Sequence, residues 1–280
     1  MSFSSPIRRR PLIALAVLLS LGSTAVQAQK VADIKKAGVL RVGAQVAQVP
    51  WGFSDKSGKL TGYDIEFAEL LAKDLGVKPE FTPVTVANRT AALLTGQVDV
   101  LAAVVTILAD RQKVVLFSRP YSYLDTVLIG KASLPEMKSY AELKGLRIGV
   151  PRGSVQDTAV TQVNSGAVIQ RFDDDAAAVQ ALLSGQVDLA GAASTQLGSI
   201  GQVAGAGKYG IKLVVSRGYQ GAAVRPGERE WAGYINDFIS RKLASGELDT
   251  LYKKWVGLDL GRDLPASGET AAALPNFVAK

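Results

Sequence analysis

The chain has 280 residues, a formal charge of +7, and neither cysteine nor histidine. No disulfide, thiolate metal site, imidazole ligand or His-based hydrolase triad can therefore be built. The positive charge does not point to nucleic acid, because Arg8, Arg9 and Arg10 sit together in a leader and the other Lys and Arg are scattered among acids.

Residues 1–28 have a basic start, an apolar run from Leu12 to about Leu21 and a small-x-small end. That is the layout of a secretory signal peptide, cleaved after Ala28. The run is too short for a comfortable membrane span of about twenty residues. "RRPLI" also meets a loose twin-arginine pattern, so the export route stays open. The expectation is an exported soluble protein, periplasmic in a bacterium.

After the leader, "VLRVGA" alternates like a strand, and the stretch from Gln45 to Lys59 reads as loop. "GYDIEFAELLAKDLG" places Ile65, Phe67, Ala68, Leu70 and Leu71 mostly on one side of a helix. Asp64 is expected to cap its start and Gly76 to end it. "KPEFTPV" reads as the next strand, making the strand–helix–strand pattern of an α/β domain.

"ALLTGQVDVLAAVVT", Ala92 to Thr106, then nearly repeats as "ALLSGQVDLAGAAST", Ala181 to Thr195, with nine of fifteen residues identical. Each copy reads as helix, glycine turn, Asp, apolar strand and small-residue loop. In the second copy Asp173 to Asp175 stand at the positive end of the helix. Strands without polar alternation suit a parallel sheet covered on both faces. Ligands bind beyond the carboxyl ends of such strands, where Thr106 and Thr195 fall. "LRIGVPRGS" echoes "LRVGAQ" in the same way, with Gly153 and Ser154 opening a helix whose N–H groups can face an anion. The repeat predicts two similar α/β lobes sharing a cleft. "FSRPYSYLDTVLIGK" and "KLVVSRGYQGAAVRP" would cross between them. Amphipathic helices follow, with Trp231, Ile235, Phe238, Ile239 and Leu243 inward, then a polar surface tail.

Taken in order, "GVLRVG", "GKLTGYDIEFAELLAKDLG", "LLTGQVDV", "TILADRQKVVLFSRPY", "LKGLRIGVPRGS", "ALLSGQVDL" and "LYKKWVG" resemble the family-3 extracellular solute-binding proteins, the polar amino-acid receptors of ABC transporters. The resemblance implies a periplasmic binding protein type II-like α/β fold, with two lobes, two crossover strands and capture of ligand by closure. Lobe one would be 31–123 plus 218–258, lobe two 124–217, and the tail 259–280. It implies a small-molecule carboxylate or amino acid as ligand, an ABC permease as membrane partner, a monomer, and no metal or cofactor.

The resemblance puts the ligand-carboxylate arginine on Arg111, whose fork can hold both oxygens. Thr106 would assist it, Tyr63 would pack over the ligand beside the Trp51 loop, and Ser154 would touch the carboxylate from lobe two. Departures from the family fall at Gln45 and Gln48, and at Ala103 and Val104. Ala193, with Ser194 beside it, stands where an ammonium-binding Asp is usual. A buried ammonium without a partner is costly, so the departures predict a ligand with a carboxylate and little need for an α-ammonium. Asp125 and Asp173 are the acids to watch, while Asp99 and Asp188 lie on the wrong end of the sheet. Two alternatives come with the resemblance. One is a stand-alone sensor. The other is a dehydratase acting on prephenate or arogenate, with no carboxylate expected in the cleft to act as its general acid.

Overall fold

The computed structural model describes residues 29–261 and 264–273; the expected leader lies outside the described residues. α1 (Gln29–Ala37) leads into β1 (Val39–Ala44), the strand that alternation predicts. The predicted loop carries a small antiparallel sheet of β2 (Ala47–Gln48), β3 (Gly52–Ser54) and β4 (Leu60–Thr61). These pairs are too short to leave a period in the sequence.

α2 (Tyr63–Leu75) is bounded by glycines at both ends. Gly62 has φ 123°, and a Cβ there would lie 2.4 Å from the Trp51 carbonyl oxygen. Gly76 closes the helix at φ 75°, its N–H on the Ala72 and Lys73 carbonyls. Asp64 does not cap; its carboxylate turns inward instead.

β5 (Lys78–Pro83), α3 (Arg89–Leu94), β6 (Val100–Leu101) and the short α4 (Ala109–Gln112) complete the first half. β7 (Leu116–Lys131) crosses to the second half, which holds β8 (Arg147–Pro151), α5 (Val155–Gln162), β9 (Val168–Phe172), α6 (Asp175–Leu183), β10 (Leu189–Ala193) and α7 (Gln196–Ala204). β11 (Tyr209–Val224) returns antiparallel to β7 along nearly its whole length. α8 (Arg229–Ala244) and α9 (Glu247–Val256) then pack back on the first half.

One eight-stranded sheet results, in the order β5-β1-β6-β11-β7-β10-β8-β9. β1 is parallel to β5 and β6, and β8 is parallel to β9 and β10. The two ends of the sheet thus have the same local order on either side of the crossing pair. Both faces are covered, so neighbouring residues join different cores. Val100 and Ala102 pack with α2 and α8, while Leu101 and Ala103 pack on the opposite face. Val127 and Ile129 likewise separate from Leu128.

Trp231, Ile235, Phe238 and Ile239 are fully buried on α8, each contributing about 1.5–3 kcal/mol. Leu243 is only partly buried. The expected surface tail forms α10 (Gly268–Ala273) instead. Its Ala271 is buried in the first half's second core, and Gly268 lies close against Phe117. Small residues made that docking inconspicuous in the sequence. Among the described residues no helix is long and apolar enough to cross a membrane.

The repeat has a structural signature. The Asp99 carboxylate accepts from the Arg41 backbone N–H at 3.1 Å, from Nε at 3.0 Å and from Nη2 at 2.6 Å. Asp188 takes the same three groups of Arg147 at 2.9, 3.1 and 2.7 Å. The Asp of each "GQVD" therefore clamps the Arg of each "LR-G", joining neighbouring parallel strands. Neither acid reaches the ligand end, as the sequence reading expects.

Candidate functional site

A cavity opens between the two halves, at the strand ends where Thr106 and Ala193 follow β6 and end β10. Thr106 is held by close packing of backbone. It bridges to Gln220 of β11, and a Cβ on Gly218 would meet its methyl group at 2.6 Å. Its hydroxyl lies 3.3 Å from Gln220 Oε1. Six of the residues singled out in the sequence line the cavity beside it: Arg111, Ser154, Gln45, Gln48, Val104 and Ala193.

Arg111, on α4, donates to the Thr106 carbonyl at 3.0 Å and to the Gly153 carbonyl in the other half at 3.1 Å. Among the described residues no carboxylate pairs with it. Loss of water and the nearby Arg89 charge lower its pKa to about 9. Ser154 caps α5, accepting from the Asp157 N–H at 3.0 Å. Its hydroxyl proton remains free to donate. Gln45 donates to Gln48 Oε1 at 2.8 Å and to the Ala103 carbonyl at 3.1 Å. Both glutamines are buried, so the substitution that the sequence showed here yields a neutral amide pair.

Tyr63, Trp51 and Ser194 stand elsewhere. Tyr63 is fully buried, with its hydroxyl on the Tyr121 carbonyl at 2.6 Å and its ring against Tyr121 and Tyr252. Trp51 packs edge-on to Tyr63 and donates its indole N–H to Thr195 at 3.3 Å. Both therefore belong to the aromatic core that supports the cavity. Ser194 lies beside α7, its N–H on the Asp125 carbonyl. The watched acids are also outside: Asp125 pairs with Arg217 at the surface, and Asp173 is exposed.

Two charged residues that the sequence reading did not assign to the cleft line the cavity instead. Arg89, on α3, is 5 % exposed and donates one Nη1 to the Ala103 and Val104 carbonyls at 2.6 and 3.1 Å. Burial brings its pKa down to about 10, against the pull of Asp175 and Asp64. Asp175, in the first turn of α6, is 4 % exposed. Its Oδ2 is buried without a hydrogen-bond partner. Burial raises its pKa to about 7, opposed by Arg89 and reinforced by Asp174. The only sequence signal for Arg89 was a charge on a helix so short that either face could be solvent. Asp175 was hidden among three successive acids.

Behind the cavity, Asp64 accepts from the Val104 N–H and the Tyr121 hydroxyl, both at 2.8 Å. Val104 has φ 53°, a left-handed conformation that a β-branched residue rarely adopts. Arg89 grips its carbonyl and Asp64 its N–H, so charge on both sides holds a strained peptide at the cavity wall. The space left inside is about 30 Å³. That is room for a water rather than an amino acid. Among the described residues no acidic cluster could hold a metal.

Residues 40–258 match the bacterial extracellular solute-binding proteins, family 3. The L-cystine-binding protein TcyJ of Escherichia coli (strain K12) is 32% identical over 233 residues, 81% of this chain and 86% of that protein. A mutant of ArgBP from T. maritima superposes with a TM-score of 0.76 at 29% identity, covering 82% of this chain and 100% of the other. The ancestral amino acid-binding protein AncCDT-1, a precursor of cyclohexadienyl dehydratase, gives 0.74 at 31% identity, covering 81% and 99%.

Proposed function

The chain belongs to the family-3 bacterial extracellular solute-binding proteins, and on that premise we propose that it is the periplasmic receptor of an ABC importer for an amino acid or related small carboxylate. The leader over 1–28 would export it, and it would work as a monomer against its permease. Lobe one is assigned to 31–123 plus 218–258 and lobe two to 124–217, the hinge falling where β7 and β11 cross.

The observation that carries the reading is Arg111: a guanidinium in a cleft, bonded to carbonyls from both halves and lacking a carboxylate. A ligand carboxylate supplies the missing charge and ties the lobes together. Closure is then driven by the difference in ligand affinity between closed and open forms. The cavity as it stands is too narrow for an amino acid, so loading requires the lobes to part. Arg111→Ala should weaken binding by roughly 2–5 kcal/mol, the cost of breaking a buried charge pair. Calorimetry of the refolded protein measures this; unchanged affinity would remove Arg111 from the site.

A dehydratase is the second reading, and Asp175 is the observation in its favour, since an acid held near neutrality can protonate a leaving hydroxyl. We favour binding, because the relatives TcyJ and ArgBP carry the names of binding proteins.

A further inference from the structure

We propose that α10, which lies beyond the family-matched residues 40–258, is a positioning element for Arg111, with Gly268 and Ala271 as the residues that hold the α4 turn in place. The inference rests on the receptor reading above, because it takes Arg111 as the grip on the ligand carboxylate.

α4 cannot place itself. It has four residues, none of them buried, and a helix so short has little stability of its own. Its position is set by the residues on either side, Ile107 before it and Val115 after it, which are buried in one apolar core. β11 fixes the entry. The Ile107 N–H donates to the Tyr219 carbonyl at 2.9 Å, and a Cβ on Gly221 would meet the Ile107 side chain at 2.8 Å. The exit is fixed by the end of the chain. The Arg111 carbonyl accepts from the Val114 and Val115 N–H groups, both at 3.0 Å, so Arg111 moves with Val115. Val115 and Phe117 share their core with Ala271 of α10, and α10 touches both α4 and β7. A Cβ on Gly268 would lie 3.1 Å from Phe117 Cβ and 3.1 Å from the Ser118 carbonyl oxygen, so α10 sits hard against the start of β7. The docking is anchored, because Leu264 is buried in the core under α2 and α8, and Ala271 in the core on the opposite face of the sheet. Ser267 starts the helix by accepting from the Thr270 N–H at 3.1 Å. Arg111 has little tolerance for movement. Its bonds to the Thr106 and Gly153 carbonyls are 3.0 and 3.1 Å, and a shift of about 0.5 Å takes them past hydrogen-bond length.

The test is calorimetry and amide hydrogen exchange on full-length protein stripped of ligand by unfolding and refolding. The probe is the tightest binder among the standard L-amino acids, L-cystine and their 2-hydroxy acid analogues. Ala271→Asp puts a charge into the core and should undock α10. Gly268→Ala is the milder variant and decides the matter if Ala271→Asp does not fold. Glu269→Ala, on the exposed face of α10, is the control. Ala271→Asp should bind the probe about tenfold more weakly, and Gly268→Ala should shift in the same direction. Exchange at Val114 and Val115 should quicken by about tenfold while β8 and β10 keep their protection. Glu269→Ala should match the wild type in both measurements. In an Arg111→Ala background, Ala271→Asp should weaken binding by no more than about twofold, because its effect runs through Arg111. A full further loss there marks general damage and overturns the proposal. Unchanged exchange at Val114 and Val115 overturns it too, as does faster exchange spread over β1 and α2. If Arg111→Ala weakens binding and both α10 variants bind like the wild type, the receptor reading survives and this inference falls. If no probe binds the wild-type protein, both fall.

Discussion

At the scale of single residues, the wall of the cavity is set by buried charge. Asp64 is pushed up to about 7 by burial, although Tyr121, Val104 and Arg89 all favour its charged form. Asp175 is raised to about 7 as well, with Arg89 and Asp174 acting on it in opposite senses. Both acids thus hold a proton in the folded state at pH values where the unfolded chain has released it. By linkage, stability falls with rising pH wherever the folded state binds more protons. These two groups should make the ligand-free protein less stable as pH rises from about 4 to about 7, with no further loss above. Asp99 is shifted the other way, by its bonds to Arg41 and Lys30, and its contribution is lost only in acid below that window. Melting temperatures at pH 5, 6, 7 and 8 check this, and Asp64→Asn should flatten the slope. A slope unchanged in Asp64→Asn and Asp175→Asn would contradict it. Arg111, Thr106, Ser154, Gln45 and Gln48 were legible because they follow recognisable motifs. Arg89 and Asp175 were not, because only the turn of α3 and α6 in space decides that each faces inward.

At the scale of elements, the two Arg–Asp clamps look alike but should differ in weight. The Asp99 side chain is 3 % exposed and also takes Lys30 at 2.6 Å, whereas Asp188 is 30 % exposed and has Arg147 alone among its ion pairs. Asp99→Ala should therefore cost about 3 kcal/mol, the low end for breaking a buried pair, since Arg41 keeps some water. Asp188→Ala should cost no more than about 1 kcal/mol. Urea denaturation of the two variants separates these values; equal losses would mean that burial is not what sets the clamp's strength. α2 was legible because its apolar residues recur at helical spacing between two glycines. Its start was misread, because an Asp two residues after Gly62 looks like a cap whether it turns back to the helix or inward to Val104. Part of the small-residue loop expected after the second apolar strand belongs to β10 instead, which extends to Ala193 because Ala192 and Ala193 pair with β7. Such cross-strand partners leave no local signal.

At the scale of the whole molecule, a near-duplicated sequence builds the two ends of one sheet, and two sixteen-residue strands carry the chain between them. The repeat was legible because both copies retain "GQVD" and an "LR-G" partner. Two hydrogen bonds join the halves at the cleft, Arg111 on Gly153 and Trp51 on Thr195, beside packing of α6 on β2. Removing the Trp51 bond with Thr195→Val should favour the open form and weaken ligand binding by about 1 kcal/mol, the net worth of one such bond. Tighter binding by that variant would mean that the contact opposes closure. The most direct measurement is calorimetric titration of the refolded protein with the standard L-amino acids and L-cystine, run beside turnover assays on prephenate and arogenate. A receptor predicts at least one amino acid bound with a dissociation constant of about 1 μM or less, about 8 kcal/mol of binding free energy, and no turnover. Turnover of either compound, with no amino acid bound, would contradict the account and make Asp175 a proton donor.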